Sequence, residues 1–371
     1  MKKELKLLIV EDDNDFIKSY ERQIKLFNLD EGEIVISQTI VSTVEEATDV
    51  LLEGEIEAAV VDLKLGTEDI EYSGNTVIGL IKSNQRFPAF ILTANPEKIE
   101  EEKGNENDFY KVKVKGSEEG NFTTILNELK AIHLTGITDI LGKSGRIEQK
   151  LNNIFWKHLS NSINIWMKDE VRTPEQKEQS LLRYTLLHVQ EYLELSEESS
   201  FDNYHPAEAY ITPPIKPSIF TGDLVKEKES GTMFIVLTPS CDLAQCKAKD
   251  IMLVNIEPNT TGLINEKKNI LQKGKAKPEL LEDAEITLKR LLHNSYSNKY
   301  HFLPKYNEID GGLINFQKAK SAKVKDVTKN YERVASLNSQ FTKDVVARFS
   351  YYYSRQGSPD FDTKEIYEAL F

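Results

Sequence analysis

The chain has 371 residues and a formal net charge of −13, a length for which two or three domains are expected. No apolar run is long enough to span a bilayer, two cysteines (Cys241 and Cys246) exclude a disulfide framework, and the opening Met1-Lys2-Lys3-Glu4 lacks a signal-peptide pattern, so a reducing, cytoplasmic setting away from membranes is expected. Residues 1–120 hold 27 Asp and Glu against 14 Lys and Arg, whereas the remainder holds 33 of each; an acidic first third argues against nucleic acid there and suits a carboxylate pocket around a cation, beside plain acidic surface.

The first elements alternate. Leu7-Leu8-Ile9-Val10 ends on Glu11-Asp12-Asp13, and residues 14–28 place Phe16, Tyr20, Ile24 and Phe27 at helical spacing. Ile34-Val35-Ile36 reads as a strand and 44–52 as a helix. Ala59-Val60-Val61 ends on Asp62, residues 76–83 form a helix, and Phe90-Ile91-Leu92 ends on Thr93. Val112-Lys113-Val114-Lys115 precedes Gly116, and 122–132 closes the set as a helix. Runs apolar at every position predict strands buried on both faces, and the alternation implies a doubly wound parallel α/β sheet of five strands. Ligands of such sheets bind outside the carboxyl ends of the strands. Acids, a hydroxyl and an amine therefore gather at one edge, which points to phosphoryl chemistry.

On Glu11-Asp12, Asp62, Thr93-Ala94 and a Lys, in that order, residues 5–133 resemble the receiver domain of two-component response regulators. The resemblance implies that a histidine kinase or phosphotransfer protein passes a phosphoryl group to Asp62, a carboxylate nucleophile. It implies Mg²⁺ held by Glu11, Asp12, Asp62 and the backbone carbonyl of Lys64, with Thr93 and Lys115 reading the phosphate. Lys115, beside Gly116 at the carboxyl end, is the first choice for that lysine. Lys113 is the second, because Tyr110-Lys111-Val112-Lys113 fits the family's aromatic-x-Val-Lys habit; the Pro that usually follows is missing. The family switches on the face of its fourth helix, fifth strand and fifth helix. The stretch between Asp12 and Asp62 and the loop 65–74 are longer than usual and read as surface insertions. A degenerate receiver that packs without being phosphorylated is the competing reading.

Residues 136–197 read as a helical linker. Residues 144–167 carry an apolar stripe of Ile147, Leu151, Ile154, Phe155 and Ile163, and Thr173-Pro174 opens a second helix with Leu182, Leu186, Val189 and Leu193. These helices carry a signal onward, make a homodimer hairpin, or pack on the last domain. Trp156 and Trp166 are expected in the core.

Residues 198–371 read as an α+β output domain with a small curved sheet or barrel. Its expected strands are 233–238, 251–256 and 313–316, and its helices 280–292 and 341–353. Thr238-Pro239-Ser240-Cys241-Asp242 is its sharpest motif; similar Cys-Asp strings occur in uncharacterised bacterial proteins, some associated with phage or defence genes. One reading makes Cys241 the nucleophile of a hydrolase with His205 or His301 as base; the commoner role of such a Cys is buried and structural. Lys318, Lys320, Lys323, Lys325 and Lys329 are expected in a solvated loop, with nucleic acid not a partner and a DNA-binding regulator the third reading. The leading expectation is a phosphorylation-controlled switch driving an interaction module.

Overall fold

The computed structural model describes residues 2–29, 32–65, 72–100, 106–194, 203–273, 276–355 and 360–371. The chain divides into two compact units, Met1–Ser200 and Phe201–Phe371.

The first unit is built on five parallel strands in the order β2-β1-β3-β4-β5. These are β1 (Lys3–Val10), β2 (Ile34–Val41), β3 (Ala58–Val61), β4 (Ala89–Thr93) and β5 (Tyr110–Val114). Every residue of β3 and β4 is buried, as central strands covered on both sides must be. Leu8, Val10, Val61 and Ile91 face α2 (Val44–Glu53) and α3 (Gly74–Asn84) in one core layer. Leu7, Ile9, Val60 and Phe90 face α1 (Asn14–Leu29) and α4 (Phe122–Leu134) in the other. Local chemistry sets the helix ends. Thr43 Oγ1 accepts the Glu46 N–H at the start of α2, and Gly54 closes it at φ 87°. The Asn28 side chain exchanges two 2.9 Å hydrogen bonds with Ile36, tying the end of α1 to edge strand β2.

Between β4 and β5 the described residues hold one 3₁₀ turn, Pro96–Lys98, and no α-helix. The switching face expected from a fourth helix, β5 and a fifth helix therefore lacks its first component among the described residues. The expected long loop 65–74 falls mostly on 66–71, outside the described residues.

Beyond α4 come α5 (Ile137–Leu141), α6 (Arg146–Ile154), α7 (Ser160–Met167) and α8 (Pro174–Glu194). The expected single helix over 144–167 is interrupted by a π-helical turn at Phe155–Leu159. That turn rotates the stripe off one side. Ile154 is fully buried, but Trp156 is 70% exposed, contrary to its expected core role. Trp166 is half-buried, 6.0 Å from the Tyr184 ring. Leu182 and Leu186 are exposed. Thr173 caps α8 as expected, its Oγ1 accepting the Gln176 N–H at 3.3 Å.

The second unit is a seven-stranded antiparallel sheet in the order β10-β11-β9-β8-β7-β12-β6, with β10 and β6 as its edges among the described residues. Its strands are β6 (Tyr210–Ile211), β7 (Asp223–Glu227), β8 (Met233–Val236), β9 (Asp250–Pro258), β10 (Tyr300–Leu303), β11 (Gly312–Lys323) and β12 (Tyr331–Leu337). Its helices are α9 (Ser240–Ala244), α10 (Gly262–Lys273), α11 (Pro278–Leu292), α12 (Val324–Asn330), α13 (Ser339–Ser354) and α14 (Thr363–Ala369). One face packs Leu224, Ile235, Val254, Phe316 and Leu337 on α13. The other is thinner: Val225, Val236, Ile251 and Leu253 meet Val327 of α12 and Leu243 of α9.

The basic run is a strand and a helix rather than a loop, with Lys325 and Lys329 on α12. Lys318, Lys320 and Lys323 lie on β11 or at its end, and each pairs with a carboxylate: Glu257 at 2.8 Å, Glu227 at 3.0 Å and Asp250 at 2.9 Å. Those pairs leave less free positive charge for a polyanion.

Candidate functional site

Four strand ends meet at the carboxyl edge of the parallel sheet. Parallel register sets them level: the Glu11 N–H donates to Val41 O at 3.0 Å, and the Asp62 N–H to Val10 O at 2.9 Å. Thr93 is the last residue of β4, and the Lys115 N–H donates to its carbonyl at 2.8 Å. Backbone pairing thus delivers four of the sequence-expected residues, Glu11, Asp62, Thr93 and Lys115, to one edge.

Lys115 is the centre of that place. Its Nζ donates to Glu11 Oε2 and to Asp62 Oδ2, both at 2.8 Å, and lies 4.1 Å from the centre of the Phe16 ring. The Asp62 carboxylate also accepts the Leu63 N–H at its other oxygen, at 2.7 Å. Glu11 is 2% exposed and Asp62 8%, so one ammonium faces two desolvated carboxylates. Burial pushes the Glu11 carboxyl up; Lys115 pulls it down, Asp62 pushes it up again, and the net direction is upward. Burial alone lowers Lys115, but hydrogen bonds and charge from Asp62 and Glu11 outweigh it and hold the ammonium above its usual range. One ammonium thus serves two buried carboxylates.

Asp12 completes it. One oxygen each from Glu11, Asp12 and Asp62 lie within 4.8 Å of one another. Asp13 is spent elsewhere, its Oδ1 accepting the Asp15 N–H at 2.8 Å to start α1. Three carboxylates with hard oxygen donors and an excess of negative charge fit a divalent cation such as Mg²⁺. Lys64 is exposed, two residues beyond Asp62. Thr93 is fully buried and its Oγ1 accepts the Asn95 N–H at 3.1 Å, so its own proton is left to donate.

Lys113 stands apart from this group. It is 7% exposed and its Nζ reaches Glu128 of α4 at 2.8 Å; Lys111 pairs with the same carboxylate at 2.9 Å. Gly116 follows Lys115 at φ 85°, a left-handed turn that glycine adopts without strain.

Two supports escaped sequence reasoning. Tyr20 was legible as an apolar helix position, but its hydroxyl donates to Glu11 Oε2 at 3.3 Å while its ring stacks 4.2 Å from Phe122. Burial pushes that hydroxyl up, keeping it a donor. Gly74 opens α3 against the end of β3: a Cβ there would lie 2.2 Å from the Asp62 carbonyl oxygen. The only sequence signal was a glycine at a helix start. Next to it, Asn75 is 6% exposed and binds the turn after β4, donating to Lys98 O at 3.2 Å.

The second unit does not join Cys241 to a histidine. Cys241 is exposed, contrary to the buried structural role, and its Sγ meets Asp242 Oδ1 at 3.7 Å. His205 Nδ1 accepts the Ala207 N–H, and His301 Nε2 pairs with Asp344 at 3.0 Å.

No family model and no curated protein match the chain. Solved structures similar to part of it include response-regulator receiver domains. The N-terminal domain of a response regulator/sensory box/GGDEF three-domain protein from Carboxydothermus hydrogenoformans is 23% identical, covering 35% of this chain and 98% of that one, at TM-score 0.28. A Francisella response regulator receiver domain is 19% identical over 35% and 98% of the two chains, at 0.27. A Thermotoga maritima response regulator solved with Mg²⁺-BeF is 16% identical over 35% and 99%, at 0.26. Among the described residues, no helix is long and apolar enough to cross a membrane.

Proposed function

We propose that the first unit is a phosphoryl-accepting receiver of the response-regulator type, with Asp62 as the acceptor. The observation that supports it most is the convergence of Glu11, Asp12, Asp62, Thr93 and Lys115 at the carboxyl ends of β1, β3, β4 and β5. A carboxylate oxygen of Asp62 attacks phosphorus of a phosphohistidine on a histidine kinase or phosphotransfer protein. The P–N bond breaks, its electron pair leaves with the imidazole, which takes a proton, and an acyl phosphate remains on Asp62. Little covalent help is needed in such a transfer; positioning and charge neutralisation dominate.

Glu11, Asp12, Asp62 and the Lys64 carbonyl are the residues that would hold Mg²⁺, which supplies neutralisation of the phosphoryl oxygens when bound. Lys115 exchanges its hydrogen bond to Asp62 for one to the phosphoryl group, and Thr93 donates its free hydroxyl proton to another oxygen. Tyr20 and Phe16 hold Glu11 and Lys115 in place. The phosphoryl group adds about −1.5 to −2 charge at neutral pH. The second unit and the helices α6–α8 then act as an interaction output under that control.

The test is a thermal shift of the full chain with beryllofluoride. Stabilisation should require Mg²⁺ and vanish in Asp62→Asn and Glu11→Gln. A shift of equal size in Asp62→Asn, or none in the parent chain, contradicts the reading.

A further inference from the structure

Residues 146–194 form a helical hairpin that the phosphoryl pocket does not use. One arm runs through α6, the π-helical turn and α7; the other is α8. Three contacts set the arms antiparallel. The Trp166 ring lies 6.0 Å from Tyr184, His158 lies 5.1 Å from His188, and Lys150 Nζ sits 4.9 Å from the Tyr192 ring.

Outside that seam the hairpin stays apolar. Ile163 and Met167, four apart on α7, are 41% and 70% exposed; Leu182 and Leu186, four apart on α8, are 59% and 57% exposed. Because the arms are antiparallel, helical periodicity places both pairs on one flank of the hairpin. A helix carries an apolar stripe to face a neighbour, and a lone hairpin has no further layer to supply one.

Charge identifies the neighbour. Residues 146–168 hold four Lys and Arg against one Glu, whereas residues 174–194 hold two against four. One arm is basic and the other acidic, so the hairpin is complementary to itself. The whole span 146–194 is neutral, with seven charges of each sign, in a chain of net charge −13. Two copies therefore meet there without the repulsion their acidic first thirds would bring. Size agrees: an arm rises about 33 Å and two helices side by side are about 20 Å wide. Two such flanks would bury about 1,200 Å² together, where specific interfaces begin.

We propose that this flank binds the same flank of a second copy, making a four-helix bundle about a two-fold axis parallel to the helices. α8 of each copy lies antiparallel against the basic arm of the other, and Ile163, Met167, Leu182 and Leu186 form the buried layer. The association does not rest on phosphoryl transfer to Asp62.

Sedimentation velocity of the full chain, with no phosphoryl donor, should show a monomer–dimer equilibrium with a Kd of about 10 μM or tighter. Leu182→Glu/Leu186→Glu should weaken it at least about thirtyfold; both side chains are exposed in the single chain, so its fold is kept. Leu187→Glu, the same change on the opposite flank of α8, should leave the dimer intact. Glu175→Lys/Glu178→Lys, which makes α8 basic, should weaken it about tenfold at low salt. Asp62→Asn should dimerise like the parent, so failure of the phosphoryl reading and failure of this one are told apart. A parent chain that stays monomeric at about 100 μM overturns the proposal, whether the second unit or another protein covers the flank. A dimer unmoved by Leu182→Glu/Leu186→Glu, or lost equally in Leu187→Glu, places the interface elsewhere and overturns it too. Unchanged association in Glu175→Lys/Glu178→Lys contradicts the pairing of the arms.

Discussion

Charge is used oppositely in the two units. At the parallel sheet, the buried carboxylates of Glu11 and Asp62 share the one ammonium of Lys115. In the antiparallel sheet, Asp223 meets Arg333, and Lys318, Lys320 and Lys323 each find a carboxylate. The first arrangement leaves electrostatic demand for a ligand to meet. The second meets that demand internally and serves the fold. Buried charge is costly unless paired, so an underpaired acidic cluster is a sign of chemistry and a paired one of architecture.

That contrast breaks most visibly at Asp223. Asp223→Ala strands the Arg333 guanidinium, and about 3–5 kcal/mol of stability should be lost from the second unit, read as faster hydrogen exchange in β7 and β12. Asp62→Asn should do the reverse. It removes repulsion from Glu11, so stability should change by no more than about 1 kcal/mol, while phosphoryl acceptance disappears. Comparable destabilisation by the two substitutions would erase the distinction drawn between the units.

Gly74→Ala gives the next largest effect. The added methyl collides with the Asp62 carbonyl, and overpacking of this kind costs about 1–3 kcal/mol. Both the melting temperature of the first unit and its rate of phosphoryl acceptance should fall. Lys113→Ala sharpens the assignment of the lysine. It removes an ion pair to Glu128, with a cost of up to about 1 kcal/mol and acceptance retained. Lys115→Ala should leave a phosphorylated chain that no longer shows the beryllofluoride-induced shift.

The smallest effect is a pH dependence. The His301 hydrogen bond, assisted by Arg348 against partial burial, holds Asp344 down at about 2, below its ordinary 3.8. A carboxyl depressed in the fold contributes stability above pH 3.8 that is lost as pH falls through about 2. Acid unfolding of the second unit should be shallower in Asp344→Asn over that window. Asp344 is half exposed, so the change is modest.

The first unit was legible because its strands are buried on both faces. Ala59-Val60-Val61 and Phe90-Ile91-Leu92 are continuous apolar runs, and the residue that ends each run is a pocket residue. Chain order alone brings Glu11, Asp62, Thr93 and Lys115 to one edge once the sheet is parallel. What stayed hidden there depends on packing between elements: the Tyr20 hydroxyl on Glu11 and Gly74 on Asp62. The second unit resisted for a different reason. β12 reads Tyr331-Glu332-Arg333-Val334, and a bulge between Arg333 and Ala335 breaks the alternation that marks a strand. β7 and β12 are far apart in sequence, so neither reveals that Asp223 and Arg333 meet. β11 looked like a loop because its second half alternates Lys with small residues, and only the tertiary carboxylates opposite explain those lysines. Trp156 misled because a π-helical turn, invisible in the pattern, turns it outward.

The most direct measurement is peptide mapping by mass spectrometry after incubation of the full chain with acetyl phosphate and Mg²⁺. One phosphoryl group should appear on the peptide containing Asp62, labile to alkali and to hydroxylamine, and be absent when Mg²⁺ is withheld. An unmodified Asp62 peptide, or a phosphoryl group carried by another residue while Asp62 stays free, would contradict the account.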